Sequence, residues 1–365
     1  MTVISHKYLL CGSVIKAVIR TSKSGFEAKL RAGETVFDDS FNICEPYDRK
    51  THIFFIPADM LSGGEILTLS LKRLKRLPFI SRRSFEFSPV FEDENELIKE
   101  YDSGISIKKE ETETVADGVI YTRLTCEDKN SAPVIAFRFE IDTSKATLYT
   151  GTPGDGYESV NVKAKVPEMI QSAVRNGVNA VAAVNADFFD MFGDCHPSGL
   201  CVKNGKVIAN DNTDRPFIGI TADGTPVITD LNESSDIVPK LYQAVGGLEM
   251  ILKDGELNDW GPLEPFSYVR HPRTAAGVTK DGRVILLVVD GRIPEYSNGA
   301  TLVDLAKLMR SFGADRAINL DGGGSSIVYT KNGAEFELRN YPADLFRPRA
   351  KLIRKEFNAL LVTKL

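Results

Sequence analysis

The stretch Thr301–Asp321, TLVDLAKLMRSFGADRAINLD, carries the decision about fold class. Leu302, Leu305, Leu308, Met309 and Phe312 recur at three- and four-residue steps, which is one face of a helix. Thr301 stands where an N-cap belongs, and Asp304 supplies the carboxyl group of a capping box three residues on. Gly313 ends the helix, and Arg316–Leu320 follows as a strand. Upstream, the apolar run Val284–Val289 is too short for a membrane span and reads as a buried strand.

An earlier segment has the same order. Val166–Asn176 reads as a helix with Val166, Met169, Ile170, Ala173 and Val174 on one face. Gly177 stops it, and Ala180–Val184 is the next strand. Strands are also expected at Ile120–Cys126, Val134–Ile141 and Lys145–Thr150. Alternating strand and helix predicts an α+β or mixed α/β catalytic domain over 113–365, with a mixed sheet and flanking helices.

The first 112 residues differ. Short apolar or alternating stretches at Ser13–Arg20, Phe26–Leu30, His52–Ile56, Ile66–Leu71 and Phe85–Phe87 predict a small all-β, sandwich-like accessory domain. From Ser88 to Asp117 the chain turns polar and acidic, with a helical turn expected at Leu97–Tyr101, and this stretch reads as a linker. Lys72, Arg73, Lys75, Arg76, Arg82 and Arg83 cluster in the β region and read as a solvated face.

Composition narrows the function. The 365 residues include 50 acidic and 45 basic side chains, a net charge of -5. That balance argues against sequence-blind nucleic-acid binding, which needs a basic surface. Five cysteines form no metal-binding spacing, so they read as structural thiols of a reducing, cytoplasmic setting. Tyr8–Ile19 is interrupted by Lys16 and reads as a strand rather than a signal peptide. Homo-oligomerisation is left open.

Chemistry concentrates at the strand ends. Asn185-Ala186-Asp187 and Asn319-Leu320-Asp321 each place two polar side chains on one face of a strand's C-terminal end. Gly322-Gly323-Gly324-Ser325-Ser326 follows the second pair, and successive glycines let backbone N–H groups approach an anion such as phosphate. No lysine follows, so it is not a Walker loop. Asp290 and Arg292 leave the Val284–Val289 strand together, and Arg273 precedes another strand. These arginines either form structural ion pairs or grip a phosphodiester. His196 sits in a Pro-Gly loop, and Asp344 lies in a polar loop, Arg339–Arg349, that would close on the site.

In order, Asn185–Phe189 with Pro197-Ser198-Gly199, Arg273–Gly277, Val289–Arg292, Gly299–Leu302, Asn319–Ser326 and Asn358–Val362 resemble the phosphodiester glycosidase family over roughly 115–365. The chain departs from the family in having Asn185-Ala186-Asp187 before its two phenylalanines, and in a looser late motif at Arg339–Asp344. The resemblance implies a hydrolase that cuts a sugar-1-phosphodiester at the anomeric C–O bond. It implies Asp321 as nucleophile or general base, and Asp187 as opposing carboxylate or sugar ligand. Arg273 and Arg292, with Gly322, Gly323, Gly324, Ser325 and Ser326, would hold the phosphodiester. Asn185, Asn319, His196 and Asp344 would complete the binding site, and Asp290 would orient an arginine. No cofactor is required, although Ca²⁺ or Mg²⁺ between Asp187 and Asp321 would suit an all-oxygen site. A metal-dependent phosphodiesterase and a non-catalytic glycan-binding protein are the competing readings.

Overall fold

The computed structural model describes residues 103–365 apart from 191–193, 211–214, 235, 259–268 and 345–347, together with eight strand segments of 1–102. The chain divides into two compact units, Met1–Asp102 with Asp259–Val269, and Ser103–Asn258 with Arg270–Leu365.

The smaller unit holds two four-stranded sheets. One orders Thr51–Pro57, Val14–Thr21, Val3–Cys11 and Phe91–Glu92. The other orders Thr35–Asp38, Phe26–Ala32, Leu67–Arg73 and Arg82–Phe87. Ala17, Ile19, Leu30, Phe54, Leu67 and Leu69 are fully buried. In the basic cluster, Lys72 pairs across the ladder with Arg82, and Leu71 with Arg83. Lys75, Arg76 and the turn expected at Leu97–Tyr101 lie outside the described residues.

The larger unit corrects the expected fold class. It is an antiparallel β fold, not a mixed α/β or α+β one. Every strand pairing within it is antiparallel. Among the described residues only Val166–Arg175 and Leu302–Ser311 are α-helices.

An eight-stranded sheet runs Glu256–Leu257, Glu249–Lys253, Ala314–Leu320, Arg273–Thr279, Val284–Val289, Pro133–Ile141, Val119–Glu127, Ser106–Ala116. A five-stranded sheet runs Ala146–Gly151, Ala359–Lys364, Ala180–Asn185, Val328–Asn332, Glu335–Leu338. A second five-stranded sheet is built from 201–246.

The reason for the misreading is topological. Each helix does connect two strands that point the same way. Between Val284–Val289 and Ala314–Leu320, however, lies Arg273–Thr279, antiparallel to both. Between Ala146–Gly151 and Ala180–Asn185 lies Ala359–Lys364, again antiparallel to both. An interposed strand turns each crossover into an antiparallel sheet without altering the local strand–helix–strand pattern.

The acidic run Glu110–Glu113 also proves to be sheet rather than linker. It lies in Ser106–Ala116, an edge strand whose side chains are mostly exposed. Charge on such an edge discourages pairing with another chain.

Alternation along the strands sets the layers. In Ala359–Lys364, Leu360 and Val362 enter the main core with Phe137, Leu286, Ile318 and Val245. Ala359 and Leu361 point to the other face, where Met169, Ile170 and Ala173 of the first helix cover them. Thr301 and Asp304 form the expected capping box, with Asp304 N–H to Thr301 Oγ1 at 3.1 Å and Thr301 N–H to Asp304 Oδ2 at 2.9 Å. Cys126, Cys195 and Cys201 are buried and in no disulfide. No helix of the described residues is long and apolar enough to cross a membrane.

Candidate active site

The two Asn-x-Asp strand ends meet. Asn185 Nδ2 donates to the backbone carbonyl of Asp321 at 2.5 Å, and Asp321 N–H donates to Ala186 O at 2.9 Å. Asn185 Oδ1 accepts from Thr274 Oγ1 at 2.8 Å and from Ile327 N–H at 3.2 Å. Asn185 is therefore an internal brace, with three of its four amide hydrogen-bonding positions used.

Asp187 is 1% exposed. Its Oδ2 accepts the Gly199 N–H at 2.9 Å, while Oδ1 has no partner. Two glycines wall it in: a Cβ on Gly246 would lie 2.7 Å from Asp187 Oδ2 and 2.7 Å from Gly199 Cα. Burial pushes the Asp187 carboxyl up to about 8, and neighbouring Asp321 adds to the rise while Gly199 and Arg215 oppose it.

Asp321 is held by Ser325, whose hydroxyl donates to Oδ2 at 2.6 Å. Burial raises its carboxyl above the ordinary range, against the pull of Ser325, Arg354 and Arg292. Asn319, two residues back and 1% exposed, leaves both Oδ1 and Nδ2 of its amide without partners.

In the glycine loop expected to cradle a phosphate, three N–H groups are already engaged. The N–H groups of Gly323, Ser325 and Ser326 donate to Pro272 O, Gly322 O and Gly323 O, so they are spent inside the fold. Ser326 is fully buried against Thr274 Oγ1 at 3.3 Å. The loop instead admits guanidinium groups. A Cβ on Gly323 (φ +60°) would lie 2.8 Å from an Arg292 nitrogen, and one on Gly324 2.6 Å from an Arg354 nitrogen.

Arg292, itself at φ +65°, donates to Ala343 O at 3.1 Å. Arg354 donates to Ser325 Oγ at 3.2 Å and to Asp344 Oδ2 at 3.0 Å. The 339–344 loop thus does reach the site. Arg273, 3% exposed, donates Nε to Ala300 O at 3.1 Å. Burial, with Arg273 and Arg292 nearby, holds His271 well below the usual imidazole range and therefore neutral.

Other expected residues fall elsewhere. Asp290 does not orient an arginine. It accepts from Asn340 Nδ2 at 2.8 Å, Tyr341 N–H at 2.8 Å and Tyr296 Oη at 3.0 Å, and burial lifts it to about 6. His196 faces a distant segment, with Nδ1 3.1 Å from Ser159 O.

Sequence reading missed three residues here. Arg354 is one. Glu356 is 2% exposed with Oε2 unpartnered, and Arg215 has a buried, unpartnered NH1 and lies over the Phe188 ring at 5.9 Å. Arg354, Glu356 and Asn358 alternate, and Asn358 Oδ1 accepts the Asp187 N–H at 2.8 Å. That period of two before a strand was the available signal.

Among the described residues no three His, Cys, Asp or Glu side chains converge as metal ligands would. The assembled groups are buried carboxyls at Asp187 and Glu356, a half-buried one at Asp321, an open amide at Asn319, and guanidinium groups of Arg273, Arg292, Arg354 and Arg215. That set can bind an anion beside a polyhydroxylated ring.

Residues 178–356 match the phosphodiester glycosidase family. The resemblance read from the ordered motifs is thereby borne out. N-acetylglucosamine-1-phosphodiester alpha-N-acetylglucosaminidase of Mus musculus is 31% identical, over 44% of this chain and 33% of its own length. The Homo sapiens enzyme of the same name is 28% identical, over 52% of this chain and 38% of its own. These matches thus span about a third of the curated relatives' length. The zebrafish catalytic domain of that enzyme, in a structure described as auto-inhibited by pro-peptide, superposes with a TM-score of 0.55 at 21% identity. It covers 72% of this chain and 89% of that one. At that identity the superposition speaks to the fold alone.

Proposed function

We propose that this chain is a glycoside hydrolase that cleaves a sugar-1-phosphodiester, of N-acetylglucosamine-1-phosphodiester type, to free sugar and phosphomonoester. The observation that carries this reading is the concentration of buried polar atoms without partners around Asp321. Asp187 Oδ1, both polar atoms of Asn319, Arg215 NH1 and Glu356 Oε2 are all left open. Buried polar groups are normally satisfied, so such a cluster marks where a ligand belongs.

Arg273, Arg292 and Arg354 hold the phosphodiester, and their charge stabilises the departing phosphate. A phosphomonoester leaves readily, so protonating it matters less than in ordinary glycosides. Asp321 is the nucleophile or general base at the anomeric carbon, with Ser325 fixing one of its carboxyl oxygens. Asp187, with its carboxyl near 8, is neutral at pH 7 and donates to a sugar oxygen. Asn319 offers a donor and an acceptor to the ring substituents. No step needs a resident cation.

Asp321→Asn, assayed on a nitrophenyl-labelled sugar phosphodiester, is expected to lose on the order of 10³-fold or more in kcat. Near-wild-type turnover by the folded variant would remove Asp321 from the reaction.

A further inference from the structure

We infer that Asp344 sets the charge selectivity of the phosphate subsite: its carboxylate favours a singly charged phosphodiester over a doubly charged phosphomonoester. The inference rests on the reading of the arginines as phosphodiester ligands.

Two consecutive residues, Ala343 and Asp344, meet two of those arginines. Ala343 O accepts from Arg292 NH1 at 3.1 Å, and Asp344 Oδ2 accepts from Arg354 NH2 at 3.0 Å. The first partner is a neutral carbonyl, and the second is a carboxylate in an ion pair. Arg354 links that carboxylate to the reacting end. Its NH1 donates to Ser325 Oγ at 3.2 Å, and the Ser325 hydroxyl donates to Asp321 Oδ2 at 2.6 Å. One guanidinium and one hydroxyl therefore separate the charge of Asp344 from Asp321.

Gly324 lets the ion pair lie on the glycine loop. A Cβ there would be 2.6 Å from Arg354 NH2 and 3.1 Å from Asp344 Oδ2. The Arg354 and Asp344 side chains are 23% and 25% exposed, so solvent screens the field of Asp344 only in part.

A phosphodiester carries one negative charge, and a phosphomonoester carries close to two above about pH 7. At the same place, Asp344 repels the dianion twice as strongly as the monoanion. The phosphomonoester is also a product of the proposed reaction, so the same repulsion favours its departure.

The test measures kcat/KM of wild type, Asp344→Asn and Asp344→Glu, as full chains. The substrates are a sugar-1-phosphodiester and the corresponding sugar 1-phosphate at about pH 8, where the second is doubly charged. Asp344→Asn should narrow the preference for the diester by about tenfold, the worth of one charge–charge interaction in a partly exposed site. Asp344→Glu keeps the charge and should keep the wild-type preference within about threefold. A merely structural role would depress both substrates alike. An unchanged ratio in Asp344→Asn would overturn the inference, as would a Glu variant as permissive as the Asn variant.

Wild type supplies a second reading that needs no variant to fold. By calorimetry at about pH 8, it should bind dimethyl phosphate, singly charged, more tightly than methyl phosphate, doubly charged. The reverse order would overturn the inference. Discrimination between the probes without turnover of either sugar ester would remove the glycosidase reading and leave the charge selectivity standing. Turnover without discrimination would do the opposite, and neither binding nor turnover would remove both.

Discussion

Asn185 donates its side-chain amide to the backbone carbonyl of Asp321, across 136 residues of sequence, at 2.5 Å. The ends of the two crossover strands are thereby laced together, and Asp321 is placed by a residue of the other half of the fold. Asn185→Ala leaves Asp321 O, Thr274 Oγ1 and Ile327 N–H in need of partners. We expect a loss of about 2–4 kcal/mol in urea unfolding, from the cost of unsatisfied buried groups. A change below about 0.5 kcal/mol would show that the brace does not matter.

Asp187 makes a pH prediction. Its folded-state carboxyl, raised to about 8, binds a proton more tightly than in the unfolded chain, where the ordinary value is about 3.9. The stability it contributes is full below about pH 4 and is lost as pH rises towards about 8. Asp187→Asn, a neutral isostere, should flatten the decline of Tm over that window. A variant that declines as steeply as wild type would place Asp187 among ordinary ionised carboxylates.

Gly246→Ala tests the wall around Asp187. The added methyl would meet both Asp187 Oδ2 and the Gly199 backbone at 2.7 Å, and backbone cannot swing aside. Overpacking of this kind costs about 1–3 kcal/mol. We expect that loss in denaturant melts, with a fall in kcat larger than the rise in KM. Unchanged kinetics would separate this wall from the reaction.

Asp290 is predicted to act through structure. Asp290→Asn replaces an acceptor with a group that must face the Tyr341 N–H and the Asn340 amide. A loss of about 1–3 kcal/mol is expected by calorimetry, because two donors then confront each other. If the variant keeps wild-type stability but loses turnover, Asp290 belongs to the chemistry after all.

Much of the site was legible because glycine, arginine and Asn-x-Asp runs have few structural uses in such combination. Thr301 and Asp304 gave the helix start from local chemistry alone. The sheet topology was not legible. A strand slipped between Val284–Val289 and Ala314–Leu320 comes from elsewhere in the chain and leaves no local mark. Glu356 and Arg354 were hidden for another reason. They precede the last strand in Lys351–Phe357, where charged residues look like ordinary surface. Only the bridge between Ala164 and Glu356 marks the point where this segment turns inward and Glu356 is buried.

The central claim is that the anomeric C–O bond breaks. Hydrolysis of a sugar-1-phosphodiester in water carrying heavy oxygen, with mass analysis of both products, reads this bond directly. The account predicts the label in the released sugar and none in the phosphomonoester. Label in the phosphate would mean P–O cleavage and would contradict it.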